Sequence, residues 1–121
     1  MKTLRMIFAA AAFAGAAASP APVWAHAFLD HASPSVGSTS QSSPGELTLS
    51  FTEKIVPAFS GVSLTSANGA GVTVDKPRVE GSTMRVPLGR KLAPGTYVVH
   101  WHVVSVDTHH TSGSYKFTIA P

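Results

Sequence analysis

Apolar residues recur at every second position through most of this chain. Leu47, Leu49 and Phe51 share one face of a stretch whose other face carries Thr48, Ser50 and Thr52. The same period runs through Val62 and Leu64, Val72 and Val74, Met84 and Val86, then Tyr97, Val99, Trp101 and Val103, and finally Tyr115, Phe117 and Ile119. Successive side chains of a strand point to opposite faces, so this alternation predicts half-buried strands with one face on a common core. Turn formers punctuate the pattern at Pro34, Gly37, Pro44-Gly45, Gly61, Asn68-Gly69, Gly81, Gly89, Pro94-Gly95 and Gly113. Asn68-Gly69 is the best tight-turn signal, since both residues tolerate positive φ. Pro57 cannot donate to a ladder and predicts a bend. About seven short strands and no convincing helix predict an all-β fold, a small antiparallel β-sandwich or Greek-key barrel.

The first 25 residues break this pattern. Lys2 and Arg5 precede a 13-residue run of apolar and small residues, Met6 to Ala18, and the stretch closes on Val23-Trp24-Ala25. That is the layout of a secretory signal peptide cleaved after Ala25, with Ala21 as the alternative cut. A membrane-spanning helix needs roughly 20 apolar residues, more than this run supplies. The expected organisation is a cleaved segment, 1–25, and one domain, 26–121, exported without membrane insertion. Cleavage removes Lys2 and Arg5, so Lys plus Arg falls from 9 to 7 against 6 Asp plus Glu, a net charge near +1. No basic stripe remains for nucleic acid. The chain has no cysteine, which excludes disulfide staples, thiolate metal sites and cysteine nucleophiles.

The unusual count is six histidines among few charged residues, all beyond residue 25. Cleavage after Ala25 makes His26 the new N-terminus, where its α-amine and imidazole can chelate one metal ion. The alternative is a frayed terminal histidine without a role. A second cluster, Val106-Asp107-Thr108-His109-His110, follows the Tyr97–Val104 strand and precedes a strand expected over Ser114–Ile119. Residues two apart in extended chain point the same way, so the Asp107 carboxylate and His109 imidazole can converge. Carboxylate plus imidazole suits copper(II) or zinc(II); an Asx-turn beside solvated histidines is the competing reading.

Four motifs in order carry a resemblance. They are His26-Ala27-Phe28-Leu29 with Ser33-Pro34-Ser35-Val36-Gly37-Ser38, Leu49-Ser50-Phe51-Thr52-Glu53 with Phe59-Ser60-Gly61, Leu92-Ala93-Pro94-Gly95-Thr96-Tyr97 with Trp101, and Val104-Ser105-Val106-Asp107-Thr108-His109 with Gly113-Ser114 and Phe117. Together they resemble the CopC family of bacterial copper-resistance proteins. The resemblance implies an Ig-like or cupredoxin-like topology and one copper(II) ion per chain, held by the His26 amine and ring, Asp107 and His109. It implies Glu53 nearby, orienting the amine or a water, or else an exposed strand-end carboxylate. It further implies a copper carrier or buffer, not an enzyme, whose partner is an inner-membrane copper transporter of the CopD kind. Some family members hold copper(I) on a methionine-rich loop. Here the only methionine beyond residue 25 is Met84, at an alternating apolar position that reads as core, so the expectation is copper(II) alone.

Four histidines stand outside that set. His100 and His102 form an H-x-H on the face opposite Tyr97, Val99 and Trp101, solvent-facing or a surface metal pair. His110 should point away from His109, and His31 is a competing ligand near the N-terminus. Two rival functions share the composition. A histidine-brace copper oxygenase also uses an N-terminal histidine, and an Ig-like interaction module would carry its histidines incidentally.

Overall fold

The computed structural model describes residues 27–121, so the expected leader and His26 lie outside the described residues. The chain runs β1 (Leu29–Ser33), β2 (Thr39–Ser40), β3 (Glu46–Phe51), a 3-10 turn at Pro57–Phe59, β4 (Gly61–Ser66), β5 (Gly71–Val72), β6 (Arg78–Glu80), β7 (Thr83–Pro87), β8 (Gly95–Val104) and β9 (His110–Ile119). Two sheets form, β1-β3-β7-β6 and β2-β9-β8-β4-β5. Every pairing is antiparallel except the short parallel contact of β2 with β9. Seven strands are three residues or longer, in line with the expected count, and β2 and β5 are two-residue additions at the edges of the larger sheet.

Alternation put the core where it was expected. Leu47, Leu49, Met84 and Val86 of the smaller sheet face Leu64, Val99, Trp101 and Phe117 of the larger one, all buried. Phe51 meets Trp101 edge-on across the two sheets, ring centroids 5.2 Å apart. Tyr97 and Phe117, directly opposed on β8 and β9, stack at 5.7 Å. Met84 is fully buried, as its position implied. The Asn68-Gly69 turn joins β4 to β5 with Gly69 at φ +87°, its amide on the Ser66 carbonyl at 2.9 Å.

Three sequence expectations need correction. The Val72–Val74 strand stops at Val72; Val74 packs against the core from irregular chain. The last strand starts at His110 rather than Ser114. Gly113 is therefore not a turn residue but sits mid-strand opposite Trp101. A Cβ at Gly113 would lie 2.6 Å from Trp101 Cζ2, so glycine is there to let the indole lie on the β9 backbone. Pro57 does interrupt pairing: after an isolated bridge of Ile55 to Ser105, the chain turns through Pro57–Phe59 before β4.

Candidate metal centre

The longest ladder, β8 with β9, pairs ten residues on each side from Gly95–Ile119 to Val104–His110 and ends in the loop Ser105–His109. Within that loop the Thr108 amide reaches the Ser105 carbonyl at 2.8 Å, and the Ser105 amide reaches the His109 carbonyl at 2.9 Å. Thr108 takes φ +76°, the only non-glycine residue in the left-handed region among the described residues. This tight reversal brings Asp107 and His109 together: His109 Nδ1 stands 3.3 Å from Asp107 Oδ1. The buried Ser105 hydroxyl donates to the same carboxylate oxygen. Asp107 is held below the usual carboxylate range, first by the Ser105 hydroxyl and then by His109. Both Asp107 and His109 side chains are about half exposed (46% and 47%), so the pair is open to an incoming ion.

Two other segments converge on this loop. The Val106 amide donates to the Lys54 carbonyl at 3.1 Å and the Val56 amide to the Val104 carbonyl at 2.8 Å. On the N-terminal side, Phe28 and Thr52 exchange hydrogen bonds, backbone to Thr52 Oγ1 and Thr52 amide to the Phe28 carbonyl, each 2.9 Å. The Thr111 hydroxyl, two residues past His109, donates to the carbonyl of fully buried Ala27 at 2.6 Å. Ala27 is thus pinned to the first turn of chain after the Asp107–His109 pair. Nothing in the sequence marked Thr111 for this; it is an ordinary strand threonine until β9 is known to start at His110.

The remaining candidates separate. Glu53, half-buried, lies between Thr52, which holds Phe28, and Lys54, which holds the loop, but it does not close on Asp107 and His109. Among the described residues no three His, Asp or Glu side chains are close enough to hold one ion between them. His31 is exposed on β1 with its Nδ1 on Asp30 at 3.1 Å, not in the loop cluster. His100 and His102 are exposed on the outer face, as their alternation implied. An imidazole beside a carboxylate fits a borderline divalent cation and supplies two of the donors it needs.

Comparison with known proteins gives the family. Residues 29–120 match the CopC domain family. The chain is 41% identical over 100 residues to Protein YobA of Escherichia coli K12, covering 80% of this chain and 81% of that one. It is 34% identical over 127 residues to Copper resistance protein C of Xanthomonas campestris pv. juglandis, covering 98% and 99%. The crystal structure of CopC from Methylosinus trichosporium OB3b superposes with a TM-score of 0.75 at 32% identity, covering 79% of this chain and 95% of that one. The chain belongs to the CopC family, a family of copper-resistance and copper-transport proteins.

Proposed function

We propose that this protein is exported, loses residues 1–25, and holds one copper(II) ion in the periplasm through the His26 amine and ring, the Asp107 carboxylate and the His109 ring. The observation that carries this reading is the Thr111 hydrogen bond to Ala27 at 2.6 Å beside the Asp107–His109 contact at 3.3 Å. Consecutive Cα atoms lie about 3.8 Å apart, so whatever residue precedes Ala27 starts its side chain close to the β9 entrance. A terminal histidine there brings two nitrogen donors to a preformed carboxylate and imidazole. In this reading Glu53, next to the Thr52 that holds Phe28, orients that terminus or a bound water. Met84 is in the core, and thioethers are what retain copper(I), so the ion is copper(II).

The role is carriage or buffering rather than catalysis, with delivery to an inner-membrane copper transporter of the CopD kind. No helix among the described residues is long and apolar enough to cross a membrane. The names of relatives support copper handling: Copper resistance protein C in Xanthomonas and Copper transport protein CutJ in Bacillus subtilis.

The test is copper(II) titration of the processed chain, followed by electron spin resonance and native mass spectrometry. One tight ion with nitrogen and oxygen donors is expected. Asp107→Ala and His109→Ala should each weaken it by at least the 10–100-fold that loss of a mere supporting group costs, roughly, at metal sites. An unchanged spectrum and affinity in both variants would overturn the reading.

A further inference from the structure

The outer face of the five-stranded sheet carries a second concentration of imidazoles. In the β8–β9 ladder His102 stands opposite Ser112 and Val104 opposite His110, so His102 and His110 are diagonal neighbours on the two strands. They share a face, because alternation turns Thr111 inward to Ala27 and leaves His110 outward, exposed like His102. Both rings line one open groove of about 300 Å³, together with Val104 and Phe59, the latter 64% exposed.

We propose that His102 and His110 together bind one borderline divalent cation, copper(II), zinc(II) or nickel(II), at a site separate from the Asp107–His109 pair. Diagonal residues of an antiparallel pair have Cα atoms about 7–8 Å apart, within reach of long side chains. Two imidazole nitrogens can then each approach one ion to about 2.0–2.1 Å. The His102 ring rests over Gly61 on β4, where a Cβ would lie 2.9 Å from its Cε1, so binding turns the ring about χ1 from β4 toward β9. His100 belongs elsewhere, since its Nε2 contacts Thr65 Oγ1 on β4 at 3.3 Å. With no third His, Asp or Glu among the described residues closing on the pair, solvent completes the shell and the site is open, exchangeable and weaker than a four-donor one. Such a site would give a copper-handling chain a second, faster-exchanging position on a different face.

Zinc(II) titration of the Asp107→Ala/His109→Ala chain, read by the nitrogen shifts of each imidazole separately, tests this with the first site disabled at two of its four donors. His102 and His110 should shift together along one binding curve. Adding His102→Ala or His110→Ala should weaken that curve about tenfold or more, because the second imidazole binds intramolecularly; adding His100→Ala should leave it unchanged. Should the disabled chain not fold, native mass spectra of the otherwise unaltered processed chain in excess zinc(II) should show two ions, falling to one in His102→Ala/His110→Ala. A shift of one ring without the other, dependence on His100, or two ions retained in that double variant would each overturn the proposal.

Discussion

Asp107 is the residue on which the local chemistry turns, and its state is set by a neighbour the sequence did not single out. D-x-H spacing was enough to bring a carboxylate and an imidazole together, but Ser105 is invisible as a partner until the loop closes on itself. Its hydroxyl and then His109 hold the Asp107 carboxyl below its ordinary value of 3.8. A folded-state value below the unfolded one means the contribution to stability is present above about pH 3.9 and lost as pH falls through the folded value. Asp107 is surface-exposed, so that contribution is small; the greater consequence is that it stays an anion through the neutral range. Ser105→Ala should raise the Asp107 value back toward 3.8, read from its carboxyl carbon shift, and a value that stays low would assign the depression to His109 instead. Acid release of copper from the proposed site should accordingly follow protonation of its nitrogen donors and not of the carboxylate. Copper retention unchanged from neutral pH to roughly pH 4 would point to other ligands. Thr108 adds a second residue-scale test. A β-branched residue at φ +76° is strained, so Thr108→Gly relieves about 1–2 kcal/mol in the folded loop, partly offset by the greater freedom of glycine when unfolded. The melting temperature should hold or rise while copper affinity falls, as the reversal that aligns Asp107 with His109 loosens.

At the scale of elements, the β8–β9 hairpin joins the core to the site. Period-two alternation made both strands legible, yet it placed the start of β9 four residues late, because Gly113 reads as a stop. Its true function is spatial, and no local pattern encodes that a glycine lies beneath an indole from the opposite strand. Gly113→Ala forces Trp101 to move against Phe51 and should cost about 1–3 kcal/mol, with altered tryptophan emission in the folded state. Tyr115 sits one turn of the pleat further along the inner face, and its hydroxyl is buried without a hydrogen-bond partner, whereas Tyr97 donates to the Ala93 carbonyl at 2.7 Å. Burial pushes the Tyr115 hydroxyl up to about 12. A raised folded value means stability is complete below about pH 10 and lost as pH climbs toward that figure. Tyr115→Phe removes an unpaired polar atom and should be neutral or stabilising by about 1 kcal/mol at pH 7, with less loss of stability above pH 10. A clear destabilisation at pH 7 would mean that the hydroxyl has a partner.

Across the whole molecule, the sandwich brings three separate segments to one end: Ala27–Phe28, the Thr52–Val56 connection, and the β8–β9 loop. The core positions Leu47, Leu49, Met84, Val99 and Phe117 were legible because burial follows alternation directly. The convergence was not, since it depends on contacts 24 to 84 residues apart in sequence, Phe28 to Thr52 and Ala27 to Thr111. Those contacts make fold and proposed metal binding separable. The Thr111 hydroxyl fixes where the N-terminal strand begins, while Asp107 and His109 lie in an exposed loop that the core does not need. Thr111→Val should therefore lose about 0.5–1.5 kcal/mol of stability, as one hydrogen bond is typically worth. Its copper affinity should fall about 10–100-fold, the cost of losing a group that orients a ligand. Extending the chain by one residue before His26 is the complementary change: the melting temperature should hold, since residues 27–121 keep every contact described. Copper affinity should drop at least as far as in Thr111→Val, because the amine is no longer beside the imidazole that shares the ion. If the extended chain binds copper as tightly as the processed one, the terminal amine is not a ligand, and the ion is held by side chains alone.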